Sequence, residues 1–143
     1  MFYRVALLSP ILLALVACTN SNPPNTPQLL TNRDTVGFGT DQGLATYIGT
    51  IPEDSLDIKN GGVEDLVITG FNIAGETAFT YTATQPLPAT VQGLKHMFVT
   101  FYFAPTAARM YNATFTITSN AANAPSKVIN LKGQGVNPPD GGG

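Results

Sequence analysis

The sequence predicts an all-β fold, an antiparallel β-sandwich of about seven strands. Thr, Val, Ile, Phe and Tyr are frequent in the middle of the chain, whereas charged residues make up only 11% of it, a balance that favours strands over helices. Apolar and polar residues alternate along several short segments. Turn residues separate these segments at roughly ten-residue spacing, as expected for strands joined by short connections.

The clearest alternation lies in the second half of the chain. The segment HMFVTFYFAP places one set of side chains inward and a second set outward: Met97, Val99, Phe101 and Phe103 against Phe98, Thr100 and Tyr102. Pro105 ends this strand because proline has no N–H to donate to a ladder. The segment YNATFTITSN turns its threonines toward water, and KVINLKG directs Ile129 and Leu131 inward.

The first half of the chain is less regular. SLDIKNGG directs Leu56 and Ile58 inward and ends in a turn, while DTVGFG and AFTYTA supply further short strands. In DLVITGFNI the apolar register slips by one residue at Gly70. We expect a β-bulge at this glycine, because a bulge would return both halves of the strand to one buried face.

The N-terminus resembles the signal peptide of a bacterial lipoprotein. Arg4 precedes an apolar run, residues 5–17, that is shorter than the roughly 20 residues needed to span a bilayer. Leu-Val-Ala-Cys, ending at Cys18, is similar to the lipobox, and Cys18 is the single cysteine of the chain. The resemblance implies cleavage after residue 17 and a lipid on the Cys18 thiol. A buried apolar helix and an ordinary secretory signal are the alternatives.

The lipobox resemblance also sets the predicted location and domain limits. A lipoprotein of this kind carries more than one acyl chain, which anchors it stably to a membrane. Thr19 stands where enterobacterial lipoproteins retained at the inner membrane have Asp, so we expect the bacterial cell envelope, with the outer membrane favoured. The polar, proline-rich residues 18–28 predict a flexible tether, residues 29–135 the sandwich, and residues 136–143 a disordered tail.

The ordered motifs of the sandwich resemble the abnormal-spindle and hydin-type (ASH) domain, which recurs in bacterial proteins as choice-of-anchor D. They are VGFG, IKNGG, LVITGFNIAG, VTFYFAPTAARMYNATFTITSN and INLKGQG. The signature is Phe-x-Pro at Phe103, a strand that begins at Tyr111, and Gly-x-Gly from Gly133. The resemblance covers nearly all of residues 33–135. It implies an immunoglobulin-like, non-catalytic scaffold or binding module, similar to major sperm protein and pilus-chaperone sandwiches.

The chain departs from the ASH pattern at two places. Arg109 replaces the glycine that the family has two residues before Tyr111. Residues 44–54 form a longer link than usual, long enough for an additional edge strand. We expect these departures to change local loops and to leave the sandwich intact.

The composition argues against several functional classes. The net charge is −2 without a basic cluster, so we expect no nucleic-acid partner. His96 is the single histidine and Cys18 is assigned to lipid, so neither a serine triad nor a zinc site is expected. The acidic residues near positions 53–57 and 64–65 are interpreted as solvated groups beside turns. We expect no enzyme activity, no metal and no cofactor.

Two binding hypotheses remain. The favoured one is a structural or protein-interaction module with an envelope protein as partner, docking by a sheet face or an edge strand. The other is a carbohydrate-binding module that uses Phe98 and Tyr102 as a platform, since four residues of strand separate the rings by about 13 Å. A third hypothesis is that the two rings have a purely structural role and are covered by residues 44–54.

Overall fold

The computed structural model describes residues 21–39 and 45–140, so Cys18 and the predicted signal peptide lie outside the described residues. No described residue belongs to a helix that is long and apolar enough to cross a membrane. The described chain forms these strands: β1 (Leu29–Thr31), β2 (Thr35–Phe38), β3 (Thr46–Tyr47), β4 (Glu53–Asn60), β5 (Leu66–Gly75), β6 (Phe79–Ala83), β7 (Ala89–Val91), β8 (His96–Phe103), β9 (Met110–Ser119) and β10 (Ser126–Val136).

The strands form two sheets that pack as a sandwich. One has the order β1-β4-β8-β6, and the other has the order β2-β10-β9-β5-β7 with β3 also paired to β10. The predicted all-β sandwich is confirmed. Two details differ from the prediction, because the described residues contain ten strands and because β2 and β3 pair with β10 in parallel. The long link of residues 44–54 does supply an extra strand, β3.

The core lies between the two sheets and follows the predicted alternation. The four inward residues of β8 are at most 1% exposed, and β9 and β10 alternate buried and more exposed residues in the same way. The largest fully buried side chains come from both sheets: Tyr111, Phe101, Phe103, Phe115, Leu56, Ile58, Leu66, Ile68, Met97, Ile117, Ile129 and Leu131. Burial of these apolar groups is the main stabilising contribution to the fold.

The β-bulge in β5 is confirmed. The pairing of β5 with β9 shifts register between Ile68 and Gly70. Ile68 before the bulge is fully buried, and Phe71 and Ile73 after it are partly buried and pack against the core. A single bulge therefore keeps the apolar side chains of a ten-residue strand on one face.

The predicted tether is wrong for residues 24–28, which are bonded to the domain. The carbonyl of Pro24 accepts a hydrogen bond from the N–H of Val63 at 3.0 Å, and the carbonyl of Pro27 accepts one from Ala122 at 2.9 Å. Pro27 is also buried. The sequence could not reveal this, because the partners lie about 40 and 95 residues away in the chain. The folded unit therefore begins near Pro24.

Asn60, at the end of β4, helps to hold this N-terminal segment against the domain through hydrogen bonds. Its side chain is fully buried, and its Oδ1 accepts hydrogen bonds from the backbone N–H groups of Gln28 at 3.2 Å and Gly62 at 3.0 Å. Its Nδ2 donates to the carbonyls of Glu64 at 2.7 Å and Val91 at 3.0 Å. All the hydrogen-bonding capacity of the amide is used, as a buried polar group requires.

The ASH-like signature residues meet in one packed corner. The rings of Phe103 and Tyr111 meet edge to face at 5.4 Å. A Cβ atom on Gly133 would overlap the Phe103 ring, and one on Gly135 would overlap the carbonyl of Ala107. The signature is therefore a packing requirement, because only glycine lets β10 approach this corner so closely.

Arg109 occupies a defined place in the same corner. Its guanidinium lies 4.0 Å from the centre of the Tyr111 ring and donates to both carboxylate oxygens of Glu76, at 2.7 and 2.9 Å. The hydrogen bond from Arg109 lowers the pKa of Glu76 below its usual value. The Tyr111 hydroxyl accepts the N–H groups of Thr106 and Ala107 at 3.0 and 2.8 Å. The departure from the family pattern thus adds an ion pair and a cation–π contact.

Candidate interaction surface

The outward surface of β4, β8 and β6, here called the outer face, carries the predicted binding residues. Phe98 and Tyr102 both point to this face, opposite the core residues of β8. Phe98 is 46% exposed, and Tyr102 is half-buried. The strand rise places the two residues about 13 Å apart along β8. The face therefore presents two separated aromatic side chains.

Phe98 sits between polar groups at one end of the outer face. Asp57 pairs with it from β4, and the Asp57 Oδ1 lies 2.8 Å from Nδ1 of His96. On the other side, the N–H of Thr84 donates to the carbonyl of Phe98 at 3.0 Å, and the Thr84 hydroxyl accepts the N–H of Phe98 at 3.2 Å. These contacts fix the backbone of Phe98, so its ring is an exposed apolar group on a rigid support.

Tyr102 lies at the opposite end of the outer face. Its strand partners are Glu53 on β4 and Thr80 on β6, and its hydroxyl lies 3.4 Å from that of Thr82. Between the two aromatic residues, the hydroxyl groups of Ser55 and Thr100 are 3.0 Å apart. The outer face thus combines two aromatic anchors with a central group of hydroxyls. This combination suits a binding surface, because aromatics supply contact area and hydroxyls supply adaptable hydrogen bonds.

Two acidic residues near this face, Asp54 and Asp57, are engaged with basic partners. Arg33 holds both carboxylate oxygens of Asp54, at 2.8 and 2.6 Å, and Asp57 is held by His96. Both acids, like Glu53, belong to β4, so their predicted position beside turns is wrong. Within residues 21–39 and 45–140 no group of three or more His, Cys, Asp or Glu side chains could hold a metal ion.

The described part of the 44–54 link leaves Phe98 uncovered. β3 pairs with β10 in the other sheet, and Glu53 and Asp54 enter β4 beside β8 in the same sheet. Phe98 accordingly keeps nearly half of its surface exposed. A purely structural role for this ring therefore has no support in the described residues.

The structure places one site that the sequence did not identify. Beside the free edge of β6 lies a groove of about 620 Å³, lined by residues of β5, β6 and the connection to β7. Two of its residues, Phe71 and Tyr81, lie in segments for which the sequence predicted only strands. The groove depends on which strands lie beside one another, and no local sequence signal encodes that.

Comparison with known proteins identifies the fold. No protein-family model matches the sequence, and no curated protein is similar enough to count as a relative. Among solved structures, the chain is similar to the ASH/PapD-like domain 7 of human CEP192, with a TM-score of 0.59 and 12% identity over 96% of this chain and 99% of that one. The fold is therefore that of the ASH and PapD-like immunoglobulin-type domains.

Two further structures cover parts of longer chains. The periplasmic chaperone SfaE matches with a TM-score of 0.53 and 15% identity, over 78% of this chain and 61% of that one. The VesB protease of Vibrio cholerae matches with a TM-score of 0.54 and 16% identity, over 76% of this chain and 31% of that one. These likenesses concern the fold alone. The function is therefore argued from the surface.

Proposed function

We propose that this protein is a non-catalytic, lipid-anchored module of the bacterial cell envelope that binds another envelope protein through the outer face. The observation that carries the proposal is the exposure of Phe98 on a rigid sheet, with Tyr102 and a row of hydroxyls beside it. Aromatic anchors of this kind dominate the binding energy of protein interfaces. The ASH and PapD-like fold of the domain supports the same class of function.

The anchor in this proposal is the lipid on Cys18, with the outer membrane as its favoured location. Among the described residues, the first backbone hydrogen bond from the N-terminal segment to the domain is made by Pro24, and only five residues separate Pro24 from Cys18 in the sequence. When extended, the chain from Cys18 to Pro24 spans about 20 Å. An acylated Cys18 would thus keep the sandwich close to the membrane, and the partner would be a membrane protein or a component at the membrane surface.

The alternative function is carbohydrate binding on the same face. The spacing of Phe98 and Tyr102 favours it, because rings about 13 Å apart along a strand would reach successive sugar units. The absence of tryptophan from the chain and the surrounding ion pairs favour a protein partner instead. A glycan array separates the two functions, since a protein-binding module gives no sugar-specific signal.

The test of the outer face uses a double variant and a matched control. A photocrosslinking residue at position 98 first identifies the envelope protein that contacts the face in cells. Phe98→Ser with Tyr102→Ser should weaken binding of that purified protein by about 2 kcal/mol or more, roughly 30-fold. Val128→Ser removes an equally exposed apolar side chain (48%) from β10, in the other sheet, and should leave binding unchanged.

Stability completes this test. The double variant should unfold at a urea concentration only slightly below that of the parent, because Phe98 is exposed, Tyr102 is half-buried on the outer face, and neither truncation opens a cavity in the core. Equal binding by the parent and the double variant would rule out the outer face as the docking site.

The anchor is tested separately. Cys18→Ser should abolish incorporation of radiolabelled palmitate and leave an uncut or differently cut precursor. Equal labelling of the Ser variant would exclude lipidation at this residue. It would not bear on the proposal that the outer face binds a protein partner.

A further inference from the structure

Hydrogen bonds at the two ends of β6 fix which of its backbone groups face β8. The carbonyl of Ala78 accepts the N–H of Ala104 at 2.9 Å, and the N–H of Thr84 donates to the carbonyl of Phe98 at 3.0 Å. Successive residues of an antiparallel strand alternate in the direction of their N–H and C=O groups. Since the register between these bonds is unbroken, the even-numbered residues of β6 face β8.

The odd-numbered residues of β6 therefore direct their N–H and C=O groups away from β8. These residues are Phe79, Tyr81 and Ala83. β6 is the last strand of its sheet, and within the described residues it pairs with β8 alone. Three consecutive backbone donor and acceptor pairs are thus arranged at the spacing of a β-strand without a strand partner.

This edge lacks the usual protection against strand addition. Natural edge strands are shortened, charged, bulged or interrupted by proline. β6 has the sequence FTYTA, without charge or proline, and its register with β8 has no bulge. The opposite edge of the same sheet, β1, has only three residues. β6 is therefore the edge of this sheet that best accepts another strand.

An uncharged groove of about 620 Å³ lies beside this edge. Its lining is Phe71, Tyr81, Thr82, Ala83, Gln85, Pro86 and Leu87. The rings of Phe71 and Tyr81 meet edge to face at 5.8 Å, and both pack on Phe115. Leu87 is 40% exposed at the rim. Side chains that entered the groove would therefore contact aromatic and aliphatic surface.

We propose that β6 binds an extended, uncharged peptide as a fifth strand of the four-stranded sheet. Every second side chain of the peptide would be apolar and would cover Phe71, Tyr81 and Leu87. The absence of charge in the groove selects an uncharged peptide. None of the lining residues is charged, so a charged side chain of the peptide would lose its hydration on burial and would find no counterion. The backbone groups of β6 would supply the hydrogen bonds of strand addition.

A second copy of the chain fits this edge less well than a peptide. Five residues of strand extend over about 17 Å, and contact between two such edges would bury less than the roughly 1,000 Å² expected of a specific interface. A single peptide strand can use both the edge and the groove. This site shares β6 with the outer face, but Phe98 and Tyr102 do not line the groove, and neither proposal depends on the other.

The test measures amide hydrogen exchange in the full 15N-labelled chain. In the free protein, the N–H groups of Tyr81 and Ala83 should exchange quickly, whereas those of Thr80 and Thr82, bonded to β8, should be protected. The probe is the capped peptide acetyl-Thr-Val-Thr-Val-Thr-Val-Thr-amide. At 1 mM it should slow exchange at Tyr81 and Ala83 at least tenfold.

Two matched changes test the geometry. Ala83→Pro removes an outward N–H without removing a bond to β8, so the variant should melt like the parent and bind the probe at least fivefold more weakly. Methylation of alternate amide nitrogens leaves the side chains of the probe unchanged but removes the N–H groups that would bond to β6. The methylated probe should therefore give no protection against hydrogen exchange. Phe98→Ser, on the outer face, should bind the probe as the parent does.

Three results would overturn the proposal. They are equal exchange at Tyr81 with and without 1 mM probe, equal affinity of the methylated probe, and protection at residues of another edge. If Ala83→Pro fails to fold, Ala83→Lys places a charge at the groove and should weaken binding in the same way.

Discussion

Two aromatic clusters of the sandwich differ in how completely they are covered. The closed cluster comprises Phe38, Phe79, Phe103 and Tyr111, and each of its members is at most 4% exposed. The open cluster comprises Phe71 and Tyr81 packed on Phe115, and its first two members remain partly exposed. Both have similar ring contacts. The difference lies in the chain around them, because β2 and the glycines of β10 seal the closed cluster, whereas the open cluster borders the edge of β6 that has no strand partner among the described residues.

The comparison separates stability from binding. Rings in the closed cluster contribute to folding and are inaccessible to a partner. Phe71 and Tyr81 in the open cluster contribute less to folding and retain surface that a ligand can cover. The same residue type therefore has different roles in the two places, and substitutions of the same kind should reveal this.

The largest expected difference comes from truncating one phenylalanine in each cluster. Phe103→Ala should lower the free energy of unfolding by about 3 to 5 kcal/mol, because it leaves a cavity in a sealed core. Phe71→Ala should cost about 1 to 2 kcal/mol, because part of this ring is already hydrated and the space opens to solvent. Urea denaturation of both variants measures the difference. Thr116→Ala, which removes a half-buried hydroxyl side chain from β9, is the control with little expected effect.

Equal losses for Phe103→Ala and Phe71→Ala would contradict the distinction between the clusters. A loss at Thr116 as large as that at Phe103 would mean that the faces of the sandwich are assigned wrongly.

A smaller difference is expected from adding one methyl group to a glycine beside each cluster. Gly135→Ala should cost about 1 to 3 kcal/mol, because its Cβ would overlap the carbonyl of Ala107 and approach Pro105 to 2.8 Å. At Gly70, in the bulge of β5, the same methyl group would lie 3.7 Å from Thr118, an ordinary contact. Gly70→Ala should change stability by less than about 1 kcal/mol. Thermal melts of the two variants compare them directly, and a costlier Gly70→Ala would reverse the argument.

The smallest effect should come from the ion pair at the rim of the closed cluster. Arg109 lowers the pKa of Glu76, so the folded state holds this proton less tightly than the unfolded state does. The stabilising contribution is therefore present above the usual glutamate pKa and is lost as the pH falls through the lowered value. Glu76→Gln should be slightly less stable than the parent at pH 7 and equally stable at pH 2.

Denaturation curves of both proteins across this pH range test the sign of the effect. A stability gap that persisted unchanged to pH 2 would mean that Glu76 acts through packing, and its lowered pKa would then have no consequence for folding.

The sequence determined the longer strands and their buried faces, whereas the three-residue strands β1 and β7 were not predicted. The alternation in β8, β9 and β10 predicted the core residues correctly because every second side chain of a strand points to the same side. The slip at Gly70 likewise predicted the bulge. The aromatic residues of the outer face were also found by alternation. Phe98 and Tyr102 occupy even-numbered positions of β8, whereas the core residues Phe101 and Phe103 occupy odd-numbered positions.

The tertiary structure decided which segments meet. Residues 24–28 have the composition of a tether, yet they bond to the connections that follow β4 and β9, which are remote in sequence, and the N–H of Gln28 donates to the buried side chain of Asn60. The parallel pairing of β2 and β3 with β10 was equally hidden. Above all, alternation identifies the side of a strand that is buried and says nothing about its neighbours. The free edge of β6 and its groove exist because the chain crosses to the other sheet after Ala83, and only the assembled sandwich determines where such crossings leave backbone groups unpaired.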